Sequence, residues 1–431
     1  MPSTMVAQEK RRALRLNIIE GAFAVASDNL AGPYLTLFAI SLGATPSQIG
    51  MLSAFPSLLG NILQIPFGVL TEKIRDRRYL CIIGGFLSRT SWLLVGFLPF
   101  LLPPEKRIAF VILLASLRIV AANMGSLAWT SLQAGLVPRQ IRGKYYANRN
   151  VVLNLCALLA TFAAGYFLEM QFPTNYHILF IGAAILGVIS TVLFVVIPFP
   201  PVESKKPEPG QTTKAQLKAF RQLARGNQNY MNYVWSAIVW SFGVSFAASL
   251  NAVHFVHNLG GNDGTWALVT AASLASTILC QRYWGRLSDK FGPKNIMVVS
   301  GFFISLLPIL WFLAPVSWFA IIISFINGFV WGGYNLAAFN LILEITPDEN
   351  RPLYIGTINT FTGLASAVGP ALGGFAAEII GLRPVFLISA VLQFAGLAMF
   401  RRGVNDTGYQ KPTRHDFLPI FRRSTKMMHR S

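Results

Sequence analysis

The sequence predicts an all-α membrane protein: twelve transmembrane helices in two pseudo-symmetric six-helix bundles, with both termini cytoplasmic. Three observations carry that expectation. Of 431 residues, 53% are hydrophobic and only 12% charged, about half the charged fraction of a soluble domain. Apolar runs long enough to cross a roughly 30 Å hydrocarbon layer recur along the chain. Lysine and arginine gather at alternate ends of those runs, as they do on cytoplasmic loops. The net charge of +19 is therefore assigned to a membrane surface and not to nucleic acid.

The candidate spans are 16–41, 46–71, 79–101, 107–134, 148–170, 176–199, 229–257, 264–286, 294–314, 317–342, 353–379 and 382–402. Their length and continuity favour helices over a barrel of ten-residue alternating strands. The first follows the basic stretch "QEKRRALRL" with no small-residue cleavage site, and reads as a retained span. Gly32-Pro33 can kink or open it. The loops after odd-numbered spans hold only Lys106, Arg107 and Arg383, which places them outside. After span 6, residues 200–228 turn polar, first Pro-rich and then basic, with a short amphipathic helix expected over 215–224. The organisation is thus 1–199, a six-helix bundle; 200–228, a cytoplasmic linker; 229–402, a second bundle; and 403–431, a basic tail suited to anionic lipid. Cys81, Cys156 and Cys280 stand in apolar surroundings without metal or disulfide spacing and read as packing residues.

The halves repeat. Gly68-x-Leu70-Thr71-Glu72-Lys73 and Gly285-x-Leu287-Ser288-Asp289-Lys290 both close an even-numbered span. "LVPRQIRGKYYANRN" aligns with "ITPDENRPLYIGTIN", so that Pro138 meets Pro347, Arg142 meets Arg351 and Tyr145 meets Tyr354. Two unrelated motifs in corresponding places indicate a duplicated six-span unit.

On these residues the chain resembles the major facilitator superfamily over essentially its whole length. The loop signature G-x-L-[AS]-D-[RK]-x-G-[RK]-[RK] is kept in the second copy by Gly285, Leu287, Ser288, Asp289, Lys290, Gly292 and Lys294, with Pro293 as the departure. In the first copy Glu72 replaces the aspartate, and Asp76 and Arg77 stand in the altered turn. The resemblance implies a secondary transporter that opens one central cavity to each side in turn, working as a monomer in the plasma membrane without a cofactor. The signature residues, with Arg142, Glu344 and Arg351 on neighbouring loops, read as a cytoplasmic latch. The glycines would let neighbouring backbones approach closely. The plainer alternative is a tight, positively charged turn.

Ionisable groups inside spans are costly and point to function. Asp28 lies mid-span beside Asn29, and Arg118 lies midway along span 4. Asp28 is suited to carry a proton, bind a cation or pair with an arginine; Arg118 is a counter-ion for Asp28 or for Glu20. Leu114-x-x-x-Arg118 resembles the start of the family's span-4 motif, whose arginine is linked to proton coupling in exporters, but Ala121 and Ala122 depart from it. "GLASAVGPALGG" at 363–374 has the form of the family's exporter signature but falls in span 11, and reads as close packing against span 2 or a neighbour. Asn251 and His254, three apart, share a helix face. Together with Trp331, Tyr334 and Asn335 of span 10, and Asn123 and Trp129 of span 4, they are expected to line the cavity.

The favoured function is transport of a small solute, amphipathic or cationic because basic residues look scarce within the spans. Proton coupling is left open and export slightly favoured. The alternatives are a divalent-metal exporter built on Asp28 and His254, and a receptor or scaffold that keeps the fold without transport. An enzyme is disfavoured, since the chain has no P-loop, H-E-x-x-H or G-x-S-x-G.

Overall fold

The computed structural model describes residues 7–74, 76–137, 142–199, 227–346 and 351–405, and every regular element among them is helical. In chain order these are α1 (Ala7–Ala31), a 3₁₀ turn (Gly32–Tyr34), α2 (Leu35–Ser41), α3 (Pro46–Lys73), α4 (Arg78–Leu101), α5 (Pro104–Leu136), α6 (Arg142–Leu168) and α7 (Thr174–Val196). They continue with α8 (Gln228–Ala248), α9 (Asn251–His257), α10 (Asp263–Phe291), α11 (Pro293–Leu313), α12 (Phe319–Ile345), α13 (Arg351–Ile380) and α14 (Leu382–Gly403). The expected linker helix at 215–224, nearly all of the basic tail, and Pro138 and Pro347 lie outside the described residues.

Among the described residues nine helical segments are long and apolar enough to cross a membrane: α4, α5, α6, α7, the α8–α9 pair, α11, α12, α13 and α14. The rods α1, α3 and α10 have 25, 28 and 29 residues, enough length at about 1.5 Å per residue; α1 and α10 are the more polar. The outside of the molecule is apolar. Leu279 is 74% exposed, Leu101 70% and Val391 68%, an arrangement that lipid stabilises and water does not.

Helix contacts repeat pair for pair between the two sets of rods. In the first set α1 packs on α6 and α7, α4 on α5 and α7, and α3 on α5. In the second α8 packs on α13 and α14, α11 on α12 and α14, and α10 on α12. The sets meet through α3 against α13 and α6 against α10, two contacts that exchange when the halves are exchanged. The duplication legible in the loops is therefore also a symmetry of the packing.

Local chemistry accounts for the helix ends. At the start of α3, Thr45 Oγ1 accepts from the Gln48 amide at 3.3 Å, and Gln48 Oε1 accepts from the Thr45 amide at 3.0 Å, a reciprocal cap reinforced by Pro46. Asn262 Oδ1 caps α10 through the Thr265 amide at 2.8 Å. Gly292, at φ +78°, ends α10, and Pro293 opens α11. The left-handed position favours glycine, and a proline without an N–H suits a first turn. That corner explains the departure of Pro293 from the signature.

Two rods break at corresponding places. Between α1 and α2, Pro33 removes an amide and crowds the preceding turn. The Pro33 carbonyl accepts from Trp266 Nε1 of α10 at 3.2 Å, which ties the break to the other half. The α8–α9 break at Ser249-Leu250 contains neither proline nor glycine; nothing in the sequence marks it.

The glycine-rich stretch of α13 packs on two sides. A Cβ on Gly369 or Gly373 would strike backbone or side chain of α8, and one on Gly374 would meet the Pro46 carbonyl and Gly50. Close packing against span 2 and a neighbour is what the structure holds there. The closure continues at the same end, where the Ser47 amide donates to Glu378 Oε1 at 3.1 Å.

Candidate transport site

A cavity of about 330 Å³ lies within the first half, walled by α1, α4, α5, α6 and α7. Among the described residues five charged side chains line it: Glu20, Asp28, Arg89, Arg118 and Arg149. Asp28 is shared by two arginines. Its Oδ1 lies 3.3 Å from Arg89 Nη1 and 3.6 Å from Arg118 Nη1. The arginine side chains are 15% and 18% exposed and the Asp28 side chain 49%, so the carboxylate faces the cavity. Arg89 Nη1 also donates to the Ala24 carbonyl at 3.1 Å. The Arg118 guanidinium lies 4.5 Å above the Trp92 ring, and Trp92 stacks on Phe180 at 5.4 Å and 6°, so the cation is backed by aromatic faces.

Glu20 and Arg149 sit deeper. Glu20 Oε1 accepts from Ser190 Oγ at 2.9 Å. Arg149 is 8% exposed and lies 5.3 Å over the Trp129 ring. The room for these long side chains comes from glycine: a Cβ on Gly21 of α1 would collide with the Arg149 guanidinium, and one on Gly187 of α7 with the stem of Arg89.

The expected Asp28–Arg118 pairing is present. The expectation that basic residues are scarce within the spans is corrected, because three guanidiniums converge on one cavity. Arg89 in "FLSRTSW" was open to the same depth argument that singled out Arg118. Arg149 hid as a span-edge residue, yet α6 begins at Arg142, which places it about 10 Å along the helix.

Other candidates divide. Trp129 lines the charged cavity, but Asn29 bonds back to the Val25 carbonyl at 2.9 Å. Asn123 packs on α3 near Gly60. Asn251 and Trp331 line a second cavity of about 450 Å³ with Thr36, Trp266, Trp311 and Gln393, and no charged residue among those described contributes to it. Tyr334 stacks on Trp240 at 4.3 Å, and Asn335 lines neither cavity. His254 is fully buried, its ring 5.2 Å from Phe386 and 6.4 Å from Trp311. It lines neither cavity, so the structure does not bring it to Asp28 as a metal pair requires. Among the described residues no three His, Cys, Asp or Glu side chains gather as a metal site.

At the signature loops the side chains of Glu72, Arg142, Asp289 and Arg351 lie outside the described residues, leaving Gly68, Asp76, Arg77, Gly285, Lys290, Gly292, Lys294 and Glu344. Among the described residues nothing comes within 4 Å of a Cβ placed on Gly68 or Gly285. The loops expected to approach them, 138–141 and 347–350, lie outside the described residues; a close glycine contact between the halves is described at the other end, where Gly50 meets Gly374. Asp76 takes a local partner: Arg78 Nε and Nη2 donate to its two oxygens at 3.0 and 2.7 Å, which holds the exposed carboxyl below its usual range.

Asp263, the first residue of α10, lies beside Tyr176 at the converged end, and burial pushes its carboxyl up. The stability linked to such a group is present below the unfolded value, about 3.9, and is lost as pH rises through the folded value. Asp263→Asn should therefore melt higher than wild type at pH 7, and the difference should shrink as pH falls toward the unfolded value. Superimposable melting profiles for the two proteins would refute this.

The family model for the Major Facilitator Superfamily matches residues 20–255 and 234–427. An uncharacterised MFS-type transporter of Methanocaldococcus jannaschii is 23% identical over 368 residues, 83% of this chain and 89% of that protein. The multi-drug resistance efflux pump PmrA of Streptococcus pneumoniae is 34% identical over 139 residues, 31% of this chain and 34% of the pump. Among solved structures, the nucleoside transporter NupG superposes with TM-score 0.69 at 15% identity, covering 90% of this chain and 99% of that one. A bacterial homologue of the human lysosomal transporter Spinster, inward-facing and occupied, gives 0.67 at 13% identity, covering 92% and 97%. With matches spanning nearly the whole chain, a helical fold to suit them and a charged cavity between the helices, this multi-pass membrane protein belongs to the Major Facilitator Superfamily, a family of transporters and not of enzymes.

Proposed function

We propose that the chain is a secondary transporter that moves a small organic solute by alternating access, with Asp28, Arg89 and Arg118 at the centre of binding and coupling. The observation that carries this reading is the cavity-facing carboxylate held between two arginines. Such charges are expensive in a membrane-spanning bundle, and a transport or coupling role accounts for their retention. On this reading the nine apolar segments and the rods α1, α3 and α10 make twelve spans, with 1–199 and 229–402 as halves, 200–228 as linker and both termini cytoplasmic.

The conformation fits one half of a transport cycle. The halves touch at the Gly50–Gly374 end, and among the described residues nothing lies within 4 Å of a Cβ placed on Gly68 or Gly285. With the signature loops cytoplasmic, this is an inward-open state, and the signature cluster latches that side when the molecule turns outward. Protonation of Asp28 would release Arg89 and Arg118, which supplies a route for proton coupling. The partial likeness to a multi-drug efflux pump favours export.

The test is reconstitution in liposomes with an imposed pH gradient and an internal pH dye, across anionic, neutral, cationic and divalent-metal solutes. Solute-dependent proton movement is the expected result. Solute flux without proton movement would remove the coupling role. Absence of flux with every class would sink the transporter reading in favour of a receptor on the same fold.

A further inference from the structure

The charged cavity is not balanced. With both carboxylates ionised, three guanidiniums face two acids, and one positive charge has no counterpart among the lining residues. Arg89 is committed to Asp28 and to the Ala24 carbonyl. Arg149 is 8% exposed and feels the charge of Glu20, but makes no ion pair among the described residues and has a buried Nε without a hydrogen-bond partner. The Arg118 Nε is likewise unpartnered, and its contact with Asp28, at 3.6 Å, is longer than the 2.7–2.9 Å typical of a charge-assisted hydrogen bond. A buried guanidinium without an acceptor is costly. The chain nevertheless builds a slot for this one: Gly21 leaves room for its head and Trp129 lies under its face. Planar guanidinium groups match carboxylate and phosphate oxygens two at a time.

Resting on the transporter reading above, we propose that the carried solute is a small organic anion whose carboxylate or phosphate is bound by Arg149 and Arg118. The cavity volume, about 330 Å³, sits at the small end of ligand sites and suits a compact acid. A cation would meet a net positive charge in the same space. The expectation of a cationic solute, drawn from an apparent scarcity of intramembrane arginine, is reversed by the arginines themselves.

A series that holds one ring and varies the charge isolates this property: benzoate, phenyl phosphate, neutral benzamide and cationic benzylammonium. Binding is measured by thermal shift and calorimetry on the full-length protein in non-ionic detergent free of anionic lipid. At least one of the two anions should bind about 30-fold or more tightly than benzamide, the ratio that about 2 kcal/mol from a desolvated charge contact gives. Benzoate against phenyl phosphate then decides between carboxylate and phosphate. Arg149→Gln should reduce the anion to the level of benzamide, and Arg149→Lys should restore part of the difference. If Arg149→Gln does not purify as a single species, the lysine variant and Arg118→Gln carry the comparison.

The proposal is overturned if benzamide or benzylammonium binds as well as both anions, if neither anion binds, or if the arginine variants leave anion affinity unchanged. Displacement of the bound anion by added phosphatidylglycerol would assign the guanidiniums to a lipid headgroup and also overturn it. The transporter reading fails separately: an anion that binds but is not moved in liposomes leaves the site and removes transport. Flux of benzylammonium without anion binding does the reverse.

Discussion

Asp28→Asn should abolish solute-driven transport and lower stability by about 1–3 kcal/mol. The 3–5 kcal/mol typical of breaking a fully buried ion pair is an upper bound, because the Asp28 side chain is 49% exposed to the cavity. The variant is nearly isosteric, so the loss is electrostatic. Arg89 and Arg118 both reach Asp28 Oδ1, and without the carboxylate two like charges face each other in a partly desolvated space. The cavity excess rises from one positive charge to two. Thermal melts of the purified variant and flux in liposomes check both effects. Adding Arg89→Gln to Asp28→Asn should recover most of the stability, since it removes the uncompensated charge, but should not recover coupling. Unchanged melting and unchanged flux in the single variant would show that Asp28 is a bystander.

Gly50→Val is expected to open the converged end. In this conformation a Cβ on Gly50 would overlap the Pro370 carbonyl and lie 3.2 Å from the Gly374 Cα. Backbone cannot step aside as a flexible side chain can, and overpacking of this kind costs about 1–3 kcal/mol. The strain is relieved by moving α3 away from α13, so the substitution penalises one conformation more than the other. Ten- to hundredfold enrichment of the opposite state follows from the same energy. The readout is labelling of Asn251→Cys, in the second cavity, by a membrane-impermeant maleimide applied from the Ser47 side. Gly50→Val should speed that labelling, and Gly374→Val should do the same from the partner helix. No change in labelling rate, with the protein folded, would mean that the α3–α13 contact does not gate that end.

The two variants probe features that differ in how far they can be read from sequence. Asp28, Arg118 and the Gly32-Pro33 break were legible because each is local: a charge in an apolar run, or a proline in a helix, has the same cost whatever surrounds it. The signature loop was legible for the same reason, and Gly292-Pro293 proves to be a corner whose chemistry lies in adjacent residues. The small residues of α13 announced close packing, since there is little else that G-x5-G-P-x2-G-G can do inside a helix bundle.

Partners across helices were not legible. Arg149 could be seen, but not that Gly21 of α1 would leave it a slot or that, among the described residues, it would make no ion pair. His254 and Asp28 were plausible ligands for one metal until the packing put one against Phe386 and the other between arginines. The α8–α9 break has no proline or glycine to betray it.

The sequence by itself determined that the chain crosses a membrane in long helices, that it is a duplicated unit, and where the intramembrane charges sit along each helix. Hydropathy, charge and turn chemistry act over a few residues and survive without knowledge of neighbours. The tertiary structure alone decided which charges meet, which remain unpaired and which end of the molecule is shut. Spans that are apolar nearly all round carry no strong period to fix their rotation. The direction each side chain faces is then set only when the ridges and small residues of neighbouring helices lock together.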